Sequence, residues 1–121
     1  MPFKQGDIID FDFVMPGTSE WRTHSCVIIS CDKVYAHDSI YLCAMMTSNG
    51  TDDRFSFHLS QDDLELPSNK LTSQVRCHLI SYIPEADLLR GRAQNNLPYN
   101  TIRKLTFRRL ISRINEAVFE V

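Results

Sequence analysis

No apolar run in this chain approaches the roughly 20 residues that a membrane helix needs. The N-terminal Met1-Pro2-Phe3-Lys4-Gln5 enters an alternating segment without the basic stretch and apolar core of a signal peptide. The expectation is a soluble, cytoplasmic protein with no membrane partner. Glycine and proline number only four and five, and no repeat or low-complexity tract interrupts the 121 residues, so disorder is not expected over most of the length. That length suits one compact domain, residues 1–121, because two would each bury too little apolar surface. Cysteine pairs of the CxxC kind are missing: Cys26, Cys31, Cys43 and Cys77 lie within or beside apolar runs, as buried free thiols do. HxH and HxxxH spacings are also missing. A metal-dependent hydrolase built on His24, His58 and His78 therefore lacks the expected ligand spacing, and neither metal nor cofactor is expected.

A strongly basic balance is lacking too, with a net charge of −2. The charges are uneven, however. Residues 1–65 hold four Lys/Arg against eleven Asp/Glu, or −7, and residues 66–121 hold nine against four, or +5. The C-terminal half can meet phosphates, although a solvated amphipathic helix explains most of its arginines equally well.

What is present is a succession of short strands. From Gly6, the segment near 7–15 sets Ile9, Phe11 and Phe13 on one face and Asp10 and Asp12 on the other, a period of two that predicts a strand with one wet side. Apolar runs near 25–31 and 39–46 predict buried central strands. A turn over Ser48-Asn49-Gly50-Thr51-Asp52-Asp53 leads to a fourth strand near 54–59, and Pro67-Ser68-Asn69 breaks the chain before a fifth near 74–83. Residues 84–100 show no period. From about 101 to 117 the spacing changes: Phe107, Leu110, Ile111, Ile114 and Val118 recur at three and four residues, predicting an amphipathic helix with Asn100 as N-cap. The fold class is thus mainly β with a C-terminal helix, a curled antiparallel sheet closed as a small barrel.

Three groups carry chemistry. Arg76 and His78 share one side of the fifth strand, where a guanidinium and an imidazole can bind a phosphate and move a proton near neutral pH. Arg22 and His24 have the same spacing before the second strand. At the end of the third strand, Thr47 and Ser48 offer hydroxyls to a phosphate or a base edge. Each has an ordinary reading beside it: polar strand faces for the two pairs and turn capping for the hydroxyls.

The order Gly6-Asp7-Ile8, a basic residue before Val27-Ile28-Ile29-Ser30, then Met46-Thr47-Ser48-x-Gly50, then Ser73-x-Val75-Arg76-Cys77 resembles the MazF/PemK/Kid toxins of toxin–antitoxin modules. The resemblance spans roughly residues 5–83, and the predicted helix stands where that family has one. The family's Thr-Ser-Gly-Gly segment corresponds to Thr47, Ser48 and Gly50, and its Val-Arg-Cys-Asp segment to Arg76, Cys77 and His78. Two positions depart from it. His24 and Ser25 stand where the family usually has Arg-Pro, with Arg22 nearby as a displaced charge, and His78 replaces the acidic residue that follows Arg-Cys.

The resemblance implies an SH3-like barrel and sequence-specific, metal-independent cleavage of single-stranded RNA by attack of a ribose 2′-OH. In that reading His78 is the base, His24 or Arg22 the acid or charge stabiliser, and Arg76 the phosphate clamp, while Thr47, Ser48, Gly50 and Ser73 contact RNA. It also implies a homodimer with an RNA groove across its interface, silenced by a cognate antitoxin. The alternative is a non-catalytic toxin of the same fold, acting as gyrase poisons do through a protein contact or only engaging an antitoxin.

Overall fold

The computed structural model describes residues 3–14, 17–67, 73–88 and 98–120. Its strands are β1 (Asp7–Val14), β2 (Trp21–Ile28), β3 (Ile40–Thr47), β4 (Ser56–Leu59), β5 (Ser73–Pro84) and β6 (Asn100–Thr101). They form one antiparallel sheet in the order β4-β5-β3-β2-β1-β6. Helix α1 (Asp32–Asp38) links β2 to β3, α2 (Glu85–Leu88) follows β5, and α3 (Lys104–Ile114) runs on into a π-helical turn, Asn115–Phe119. No helix of the described residues is long and apolar enough to cross a membrane.

The predicted mainly-β architecture with a terminal helix is what the structure has, with five local corrections. The sheet is barrel-like but not closed: an isolated bridge between Leu64 and Ile102 and a bond from the Glu65 N–H to the Thr101 carbonyl (2.9 Å) span its two edges. Strand β2 starts at Trp21, four residues before its apolar run, because its register with β1 continues to Val14↔Trp21 whether or not side chains are buried. The run's end yields to α1, which the period-two reading missed. β4 begins only at Ser56, two residues after the predicted start, because Asp53 and Phe55 close a turn ahead of it. Asn100 is a β6 residue rather than the helix cap. Its amide exchanges bonds with the Leu66 backbone (3.1 Å each way) and accepts the Thr101 N–H, and the cap position of α3 falls to Arg103. Met15, Ser68, Asn69 and most of the 84–100 connector lie outside the described residues.

Alternation along the strands gives the sheet two faces. On one, Ile8, Val27, Ala44, Met46, Val75 and Cys77 pack beneath Leu110 and Ile114 of α3, so the helical stripe read from the sequence covers this face. On the other, Ile9, Cys26, Ile28, Tyr41, Cys43 and Ile83 pack with Phe3 and Leu88. Both sides of β1 are therefore apolar near its start, and the predicted wet side begins only at Asp10. The second apolar cluster occupies only part of its face, and what lies beyond it is polar.

All four cysteines are free; Cys26, Cys43 and Cys77 are buried and Cys31 is half-buried. A hydrogen bond with Cys43 and burial push the Cys26 thiol up, and burial pushes up Cys77. Because the thiolate is the reactive form, native-state alkylation is expected to modify Cys31 well before the other three. Mass spectrometry of a time course checks this, and simultaneous labelling of all four would contradict the packing.

Candidate functional site

The polar end of the second face is built by register. β1 sets Phe11 against His24 and Phe13 against Arg22, so both predicted basic residues of β2 stand on the side of Phe11 and Phe13. β2 pairs with β3 at Cys26↔Met45; carried two residues further along both strands, the same register sets His24 across from Thr47. Thr47 in turn pairs with Gln74, and Gln74 with His58. Arg76 lies one row along on the same side, opposite Ser56 of β4. His24, Thr47, Gln74 and Arg76 thus share one face.

Four β5 residues, Arg76 to Leu79, stand opposite the single Met45, between the pairs Met46↔Val75 and Ala44↔Ile80. The strand bends away from β3 at this point. His78 is on that bend, exposed, with its ring 4.2 Å from Phe55.

The guanidinium of Arg76 is held by protein. Nη1 donates to Asp53 Oδ1 (3.0 Å), Ser56 Oγ (2.9 Å) and Gln74 Oε1 (3.1 Å), and Nη2 to Asp53 Oδ2 (2.9 Å). With its side chain only 13% exposed, Arg76 is a strut under the 47–53 turn. Gln74 braces the same turn, donating to the carbonyls of Asn49 (3.0 Å) and Thr51 (2.6 Å). Arg22 instead faces solvent, 3.7 Å from Glu20. The Nε2 atom of His24 is buried and meets no hydrogen-bond partner among the described residues, with Phe13 the nearest ring at 6.4 Å. The Thr47 hydroxyl accepts the Asn49 N–H (3.1 Å). Gly50 is exposed in the turn; a Cβ there would meet nothing within 4 Å, so the turn does not demand glycine.

The hydrogen bonds from Arg76, followed by the Phe55 N–H, hold the Asp53 carboxyl below the usual carboxylate range. A depressed carboxyl stabilises the fold above its unfolded value of about 3.9, and that stability is lost as pH falls through the folded value. The urea midpoint is therefore expected to stay level from about pH 7 to 5 and to drop below about pH 4. Asp53→Asn should lower the plateau and narrow the gap to wild type in acid. A gap that widens on acidification would contradict the pair.

On the opposite face, where β2 and β3 cease to pair, lies a cavity of about 450 Å³. Asp10, Ser25, Ser73, Tyr99 and Asn100 line it over a floor that includes Ile8 and Met46. Thr47, Ser48 and His24 also form part of its wall, although alternation sends the Thr47 and His24 side chains to the other face. Tyr99 Oη donates to Ser25 Oγ (2.6 Å), which donates to Asp10 Oδ1 (2.9 Å). Burial pushes the Tyr99 phenol up, so it remains a donor near neutral pH.

The predicted residues therefore divide. His24, Thr47, Arg22 and Arg76 share a face, Ser48 and Ser73 line the cavity behind it, and His78 and Gly50 sit on the bend and the turn. Sequence reading missed Asp10, Ser25, Gln74, Asp53 and Tyr99. Alternation could have signalled two of them: it put Asp10 on the polar side of β1 and Gln74 on the Arg76 side of β5.

Residues 4–117 match the family model described as the PemK-like, MazF-like toxin of type II toxin–antitoxin systems. No curated protein matches the chain significantly. Among solved structures, the fold is similar to that of MazF from Deinococcus radiodurans, with a TM-score of 0.67 at 11% identity over 93% of each chain. It is also similar to chains of two MazE–MazF crystals from that organism. One gives a TM-score of 0.70 at 9% identity over 100% of this chain and 99% of that one. The other gives 0.68 at 8% over 96% and 95%. At such identities the structures speak for the fold, and the family model for membership: the chain belongs to the PemK-like, MazF-like toxins of type II toxin–antitoxin systems.

Proposed function

We propose that the chain is the toxin of its module and acts as a sequence-specific, metal-independent endoribonuclease on single-stranded RNA in the cytoplasm. The observation that carries this reading is the polar end of the second face, where His24 and Thr47 stand in one row and Arg76 in the next, beyond the apolar cluster of Ile9, Cys26, Ile28, Tyr41, Cys43 and Ile83. In the proposed reaction a base takes the proton of a ribose 2′-OH, the oxygen attacks the adjacent phosphorus, and the P–O5′ bond breaks as an acid protonates the leaving oxygen. The products carry 2′,3′-cyclic phosphate and 5′-OH ends.

Neutral and protonated imidazoles perform both transfers near pH 7 without metal. His24 and His78 are assigned to them. Thr47 and Ser48 orient the phosphate, Ser73 and Gly50 lie along the RNA path, and Arg22, exposed at the mouth, meets the developing charge. Arg76 adds positive charge from beneath and fixes the turn.

The MazE–MazF complexes from Deinococcus radiodurans support a cognate antitoxin as partner. The family's usual homodimer is proposed as well. Val14 and Trp21 support a protein contact beside the site, as a cross-strand apolar pair 49% and 65% exposed at the end of β1 and β2. The engagement of Arg76 by Asp53 favours one rival, a toxin that binds a protein target and cuts nothing. Incubation of the purified chain with labelled single-stranded RNA in excess chelator separates the two. Discrete fragments are expected, whereas intact RNA together with antitoxin binding would support the rival.

A further inference from the structure

The described residues that line the cavity behind His24 and Thr47 carry the wrong charge for a phosphate. No Lys or Arg stands among the described residues that line it, and its one ionisable carboxylate, Asp10, would repel an anion. Among the described residues Asp10 meets a single side-chain donor, the Ser25 hydroxyl on Oδ1 at 2.9 Å, and none of them donates a hydrogen bond to its second oxygen, which can accept from a ligand. Tyr99 fixes Ser25 in turn, and the Tyr99 N–H is bonded to the Ile8 carbonyl at 3.1 Å, so the acceptor is held by two adjacent strands and the segment that precedes β6.

The remaining walls mix hydroxyls and an amide from Ser73 and Asn100 with apolar surface from Ile8, Met46 and Leu64. That combination suits a flat heterocycle with polar edges: the faces lie on apolar side chains and the edge meets fixed acceptors. Thr47 and Ser48 belong to the cavity wall and also to the strand end proposed to orient the scissile phosphate. A nucleotide bound there can place its base in the cavity while its phosphate stays at the mouth.

We propose that this cavity is a base-recognition pocket that selects a nucleobase bearing an exocyclic amino group, with Asp10 as acceptor and the Tyr99–Ser25 pair as its positioning residues. The proposal rests on the reading of the chain as an RNA-cutting toxin. Cytosine N4 and adenine N6 donate to a carboxylate. Uracil presents carbonyl oxygens where those bases carry the amino group, and these repel it. Selection at this position therefore follows from charge rather than from size.

The test is a titration of isotopically labelled protein with CMP, AMP and UMP, followed through the amide resonances of Asp10, Ser25 and Tyr99. CMP and AMP are expected to shift these signals at concentrations about tenfold lower than UMP, the scale of one good base-edge contact. Asp10→Asn supplies an amide donor and is expected to invert the order in favour of UMP. Ser25→Ala, which removes only the hydroxyl between Tyr99 and Asp10, should weaken CMP binding without inverting the order.

Equal response to the three nucleotides, or shifts caused by N-acetylarginine amide and by no nucleotide, would overturn the proposal; the latter would assign the pocket to a cationic side chain of a protein partner. Binding is read without cleavage, which keeps the two failures apart. Base selection by a chain that cuts no RNA removes the nuclease reading alone. Cutting without base selection at this pocket removes the pocket alone.

Discussion

Replacing His24 by glutamine is expected to lower RNA cleavage by about 10²–10⁴-fold, the usual loss when a general acid or base is removed. Glutamine keeps most of the side-chain length and can still hydrogen-bond, but it cannot exchange a proton near neutral pH. The size of the effect follows from position: the Nε2 of His24 is buried with no hydrogen-bond partner among the described residues, on the row that continues to Thr47 and Gln74. His78 is exposed and stacks on Phe55 at the bend of β5. His78→Gln is expected to fall within the same range, as the loss of the second proton transfer. A His24→Gln protein that cuts at the parent's rate across the neutral range would return His24 to the role of a packed side chain beside Phe13.

The second large effect is on stability. Leu110→Ala is expected to cost about 2–5 kcal/mol, the range for removing a fully buried leucine from a core that collapses only partly. Leu110 has no exposed surface and sits over Ile8, Val27, Ala44 and Val75, where α3 covers the first face. The urea midpoint should fall with its slope unchanged. Leu105, on the same helix but 74% exposed, is the control. Its alanine variant should stay within about 0.5 kcal/mol of the parent. Equal losses at the two positions would mean that α3 does not lie on the sheet with this face.

The contrast between these helix positions shows what the sequence could convey. The three-and-four spacing from Phe107 to Val118 identified the covering face because burial itself produces that period. Strands β1, β3 and β5 were legible for the same reason, Arg76 as the polar side of such an alternation, and His24 by its two-residue spacing from Arg22 just before the second apolar run. Helix α1 was not: among Asp32–Asp38 no residue is buried and only Tyr35 packs on a core, so no stripe exists to be read. Two residues of β6 cannot display a period at all.

The bend of β5 was hidden because alternation resumes on either side of it. That is why Arg76 and His78, equivalent in the sequence, part company in the fold. Asp10, Ser25 and Tyr99 are ordinary polar residues until the register Asp10↔Ser25 and the Tyr99–Ile8 backbone bond bring them to one cavity. Their meaning lies in long-range pairing, which no local pattern carries.

The central claim, cleavage of RNA through its own 2′-OH at this site, is tested most directly with one substrate carrying a single 2′-deoxynucleotide on the 5′ side of a mapped cleavage point. The substituted RNA is expected to resist cutting at that bond, while neighbouring all-ribose sites are still cut in chelator and yield 2′,3′-cyclic phosphate ends. Cutting of the deoxy-substituted bond at the unmodified rate would contradict the account.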